Sequence, residues 1–98
     1  MLTNMASEAI KKGVCLQLQY DGYNRVVEVH CVGVTTKGNP GIRVWQVRGG
    51  SQSDQTVGWK MLLLNEVASA TLTDEKSQAP RQGYKRGDKG MKSIIFEI

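Results

Sequence analysis

The chain has 98 residues, 40% of them hydrophobic and 22% charged, which is the length of one domain and the composition of an ordinary globular one. It shows no apolar run near the roughly 18 residues a membrane span needs and no basic-then-apolar leader pattern, and it has two cysteines, where a disulfide scaffold uses at least about four. These counts argue against a multidomain enzyme, a membrane protein, a disulfide mini-protein and a disordered tail, and they predict a small reduced domain of the cytoplasm.

The formal charge is +4, from thirteen Lys and Arg against nine Asp and Glu. The excess is concentrated beyond Pro80, where Arg81, Lys85, Arg86, Lys89 and Lys92 face only Asp88 and Glu97. Such a segment attracts anionic partners at long range, although a solvated basic loop has the same composition.

Leu2 to Lys12 reads as a short helix. Thr3 or Asn4 can cap it, Met5, Ala6, Ala9 and Ile10 recur on one side, Lys11 and Lys12 suit its negative end, and Gly13 can terminate it. The apolar period then drops to two. Val14, Leu16, Leu18 and Tyr20 alternate with Cys15, Gln17 and Gln19, the pattern of a half-buried strand. Residues 21–24 form a turn, and the valine-rich run 25–34 is a second strand, paired with the first. Residues 37–41 are a loop, 42–48 a third strand, 49–57 a polar glycine-rich loop, 58–64 a fourth strand and 67–72 a fifth. Residues 74–90 show no apolar period, and 93–98 form a last strand or docked tail. The order predicts one mainly β domain, a small barrel of five or six strands after a short helix, with the helix over 1–13, the barrel over 14–74, and a basic loop with a terminal strand over 75–98. Apolar residues on both sides of the second and fourth strands fit a strand that curves through a barrel or is covered on its outer face.

Catalytic chemistry finds little support. His30 is the single histidine, and its neighbour Cys31 should point to the opposite face unless a bulge intervenes. Cys31 is expected to share an apolar face with Val27 and Val29. Cys15, His30 and Cys31 lack metal-ligand spacing, so no metal and no cofactor is expected. Arg48-Gly49-Gly50-Ser51 could cradle an anion on backbone N–H groups, but nothing completes a P-loop. Glu28, alone among valines, should need a cationic partner, with Arg25, Arg43 or Lys60 as the candidates. The stronger pattern is collective: Tyr20, Tyr23, Trp45, Trp59 and Tyr84 each lie within a few residues of Arg or Lys, a composition suited to stacking bases and holding phosphates. Trp45 and Trp59 also read as core residues, whereas Tyr84, in Gly83-Tyr84-Lys85-Arg86-Gly87, reads as a surface residue.

The run from Leu18 to His30, with its Tyr-ended strand, turn and Arg25-Val26-Val27-Glu28, resembles the opening hairpin of WYL domains. Arg43-Val44-Trp45-Gln46-Val47 stands where that family has its Trp-Tyr-Leu triplet, and residues 60–67 resemble its Arg-x-Phe-Arg-Leu-Asp-Arg-Ile strand. The similarity covers about residues 14–74, and 79–88 resembles the end of short bacterial and phage proteins built from this domain alone. It implies an Sm-like, SH3-type barrel after a short helix, and a module for regulation or phage defence that binds a nucleotide or single-stranded nucleic acid. By position it implies Tyr20, Arg25, Trp45 and Lys60 as site residues. The chain departs from the family at Gln46 and Val47, at Val29 in place of Pro, and at Lys60, which keeps the charge of Arg but not its two-pronged geometry. No helix-turn-helix accompanies it. The expectation is thus a non-catalytic binder of an anionic ligand, with Arg25, Arg43, Arg48 and Lys60 supplying charge, Tyr20 and Trp45 a stacking wall, and Tyr84, Lys85 and Arg86 closing over the site. The competing expectation is an interaction module, a homo-oligomer that pairs strand edges through the Ile94-Ile95-Phe96 tail.

Overall fold

A computed structural model describes residues 2–98. The helix α1 (Leu2–Lys12) is followed by β1 (Val14–Tyr20), β2 (Tyr23–Thr35), β3 (Pro40–Gly49), β4 (Gly58–Leu63), a single 3-10 turn over Leu64–Glu66, β5 (Val67–Lys76) and β6 (Met91–Glu97). The helix and all the expected strands are present; Met1 lies outside the described residues.

The strands form one antiparallel sheet in the order β4-β3-β2-β1-β5, with β6 also on β2. The long β2 makes this possible. Its first half pairs with β1, from Tyr20↔Tyr23 to Leu16↔Val27, and its second half pairs with β6, from Cys31↔Glu97 to Thr35↔Met91. The β1–β2 connection is tighter than residues 21–24. It is a two-residue turn in which Asp21 and Gly22 both take positive φ, 53° and 77°, the geometry that matches the right-handed twist of a hairpin.

Three expectations change in detail. β5 runs on to Lys76, because Val14 still pairs with Lys76 after a register shift. β3 starts at Pro40, opposite Val34. Barrel closure is not found: the ladders join β1 to β5 and β3 to β4, but none joins β4 to β5.

The apolar core lies on one face of the sheet, under α1. Ala6, Ala9 and Ile10 pack onto Leu16, Leu18, Val27, Val29, Val32, Ile42, Val44, Leu62 and Leu64. Cys31 is not part of this cluster, contrary to the alternation read from sequence. A register shift between Val29 and Cys31 inserts a residue into β2, so Val29 and Val32 serve the core and Cys31 turns away from it. Both cysteines are buried and free. No helix is long and apolar enough to cross a membrane.

Candidate functional site

The outer face of the sheet is the more informative one. Glu28, Trp45 and Trp59 stand in register across β2, β3 and β4, since Glu28 is opposite Trp45 and Trp45 opposite Trp59. Strand alternation puts His30 on the same side of β2 as Glu28, and Arg43 on the same side of β3 as Trp45. This face is covered by residues 77–90, the segment with no apolar period. It crosses the sheet as a strap between β5 and β6.

Charge pairs hold the strap at three points, one strand residue to one strap residue each time. Glu28 takes a two-pronged bond from Arg81, at 2.6 and 3.2 Å, and also accepts from the Gln78 amide at 2.7 Å. Arg43 grips Asp88 through Nε and Nη2, at 2.7 and 3.2 Å, which holds the Asp88 carboxyl below its ordinary range. Glu97 on β6 meets Arg86 at 3.0 Å. The Glu28 carboxylate is only 1% exposed, so its compensation by Arg81 is obligatory. The expected partners Arg25, Arg43 and Lys60 are thus replaced by a residue 53 positions away.

The aromatic rings pack under this strap. His30 lies edge-on to Trp59 at 4.7 Å and beside Tyr84 at 5.1 Å; Trp45 and Trp59 meet edge-to-face at 5.4 Å; and Tyr84 lies nearly parallel to Trp59 at 6.2 Å. The Arg81 guanidinium sits 5.3 Å over Trp45. The tryptophans therefore belong to a second, mixed layer rather than to the apolar core. Tyr84 is half-buried, and its hydroxyl donates to the His30 carbonyl at 3.2 Å. Both His30 ring nitrogens are engaged: Nδ1 with the Glu28 carbonyl at 2.9 Å, and Nε2 as acceptor from the Arg81 amide at 2.9 Å. Burial lowers the affinity of this ring for a second proton, and burial also pushes the Cys31 thiol up to about 11.

Between strap and sheet lies a cleft of about 470 Å³, whose wall includes Trp59, Tyr84, Lys85, Arg86, Asp88 and Lys89. Its one carboxylate is neutralised by Arg43, while Lys85 and Lys89 enter no ion pair among the described residues. The surface it offers is an aromatic wall with free cations at its rim.

Four of the residues singled out from sequence, Arg43, Tyr84, Lys85 and Arg86, line this cleft. Trp45 lies beside it, under Arg81. The others are elsewhere. Tyr20 and Arg25 are buried at one end of the core, where Arg25 bonds Gln46 at 3.3 Å and lies over the Tyr20 and Tyr23 rings. Lys60 donates to Ser51 and Ser53, both at 3.1 Å, and so ties down the 49–57 loop. Arg48 makes an exposed two-pronged pair with Glu75. Sequence reading missed Trp59, Arg81, Asp88 and Lys89 as partners in one place. The available signal was Glu28-Val29-His30, two polar residues spaced to share one side of a valine-rich strand, which requires a polar cover on that side. Among the described residues no group of three or more His, Cys, Asp or Glu is placed to hold a metal ion. No family model matches this chain, and no curated protein or solved structure matches it either.

Proposed function

We propose that this domain is a non-catalytic module that binds an anionic, ring-bearing ligand, a nucleotide or a single nucleic-acid strand, in the cleft under the strap. The observation that carries this reading is the meeting of Trp59 and Tyr84 with Lys85, Arg86 and Lys89 around about 470 Å³ of open space. Base stacking on an aromatic face and phosphate contact by flexible cations are the two halves of sequence-tolerant nucleotide recognition. The absence of catalysis in this reading is supported by the groups nearest the cleft: the His30 nitrogens are both occupied, and Cys31 is a protonated buried thiol at neutral pH. The placement of β1 beside β5, and the 3-10 turn before β5, support describing the sheet as an opened Sm-like or SH3-type barrel, in keeping with the WYL resemblance. Free cysteines fit a reducing, cytoplasmic setting, and a role in regulation or phage defence is what the WYL resemblance implies.

The test is a titration followed by tryptophan fluorescence and thermal shift, with adenine nucleotides and short oligo-dT, against Lys85→Ala/Lys89→Ala. A ligand at 100 times its Kd adds about 2.7 kcal/mol of stability, which is several degrees of Tm in a domain of this size. Binding that the double variant weakens supports the reading. No shift with any of these ligands overturns it.

A second reading is favoured by Ile94 and Ile95, 37% and 54% exposed on β6, whose one strand neighbour is β2. It makes the chain a homo-oligomer through edge pairing. Against it, register shifts on both sides of the Ser93–Ile94 pair break β6 into short ladders, a device that blunts edges. A molar mass that rises with protein concentration and is insensitive to nucleotide would favour this second reading.

A further inference from the structure

The proposed ligand function does not use the most heavily bonded part of the outer face, the junction of Glu28, His30 and the start of the strap. Three backbone amides of the strap are committed there. Gln78 N–H donates to Glu28 Oε2 at 2.7 Å, Arg81 N–H donates to His30 Nε2 at 2.9 Å, and Tyr84 N–H closes a turn on the Arg81 carbonyl at 3.1 Å. The same ring's Nδ1 bonds the Glu28 carbonyl at 2.9 Å, which requires Nδ1 to carry the proton and leaves Nε2 as the acceptor for Arg81. His30 is fully buried, with Trp59 from β4 and Tyr84 from the strap presenting uncharged ring faces to it. The charged groups that face it are Glu28 from its own strand and the Arg81 guanidinium from the strap, already locked to each other.

We propose that His30 is an acid-released latch for the 77–90 strap, whose opening dismantles the cleft. A proton can enter only at Nε2, the atom that accepts the Arg81 amide. Protonation therefore turns one hydrogen bond into two opposed donors, on a ring that is fully buried and beside a carboxylate already committed to Arg81. The direction is fixed by linkage. The closed form disfavours the second proton and the open form exposes an ordinary imidazole, so falling pH shifts the balance toward open.

The experiment needs no ligand, which separates this inference from the reading it extends. Hydrogen exchange of the Gln78, Arg81 and Tyr84 amides, corrected for intrinsic rates, is compared between pH 7.5 and pH 5, still above the ordinary carboxylate range. His30 is the only histidine, so its ring resonances report the titration without assignment ambiguity. With an open-state pKa near 6.5, the expected loss of strap protection is up to about 30-fold, while amides in the β2–β3 ladder hold. His30→Gln, which offers an acceptor that does not titrate, should keep the strap protected at both pH values. If that variant fails to fold, the wild-type ring titration decides alone. Strap protection that is unchanged to pH 5, or a His30 that titrates at its ordinary value with the strap still closed, overturns the latch. Loss of strap protection together with failure to bind any nucleotide would keep the latch and reject the ligand reading.

Discussion

Arg81 and Tyr84 illustrate how differently two contacts on one face weigh. Arg81 compensates a carboxylate that is almost fully buried, whereas its own side chain keeps 27% exposure. Arg81→Ala removes the cation that compensates the buried Glu28 carboxyl and leaves it only the Gln78 amide, so it should destabilise by about 3 kcal/mol, the lower end for a broken buried pair. Glu28→Gln removes the charge and keeps an acceptor for the Gln78 amide, so its loss should be clearly smaller. Urea unfolding of the two variants checks the order; a milder effect for Arg81→Ala would mean that Glu28 has another partner. Tyr84→Phe removes only the bond to the His30 carbonyl, which also accepts from the Ile98 amide at 2.9 Å. That carbonyl is not orphaned, and the expected cost is about 0.5–1 kcal/mol in the same assay.

β6 docks by a close backbone approach. A Cβ added to Gly33 would collide with the Ser93 carbonyl oxygen, and it would also lie 3.2 Å from the Ile94 Cα, both backbone atoms that cannot swing aside. Gly33→Ala should therefore displace β6 at a cost of about 1–3 kcal/mol, comparable to overpacking a core. Amide exchange over 91–97 should rise while the β1–β2 hairpin stays protected; uniform destabilisation would mean that β6 is not a separable element. Elements of this kind were legible in sequence where the signal is local. The period change at Gly13 located α1 and β1, and the turn residues located every loop. The outer layer was not legible, because it is assembled from residues some 45–55 positions apart, such as Arg43 with Asp88 and Glu28 with Arg81. The aromatic and basic composition pointed to the chemistry, but Arg25 packs over the Tyr20 ring at the core end, and only the tail group met a tryptophan. Bulges were equally invisible: the inserted residue between Val29 and Cys31 leaves the hydropathy pattern unchanged, while it moves a thiol from one face to the other.

For the molecule as a whole, the net charge of +4 overstates what a ligand would feel in the cleft. Arg81, Arg43 and Arg86 are each clipped to a carboxylate, which leaves Lys85 and Lys89 free and Arg86 available only in competition with Glu97. Two phosphate contacts on a single strand correspond to a slope of log K against log salt of about −1.4, so affinity should fall about 7-fold between 50 and 200 mM salt. Glu97→Gln removes the competitor and recruits Arg86 as a third contact. The slope should then steepen to about −2.1 and the fall to nearly 20-fold, with tighter binding at low salt. Arg86→Ala in the same background should return the slope to its starting value. Fluorescence anisotropy of a labelled oligo-dT across a salt series measures all three. Glu97 lies on β6 and bonds Arg86 and the Gly87 amide of the strap, so a Glu97→Gln variant that leaves both slope and affinity untouched would place the strand elsewhere on the surface, away from the ring of Trp59, Tyr84 and the strap lysines.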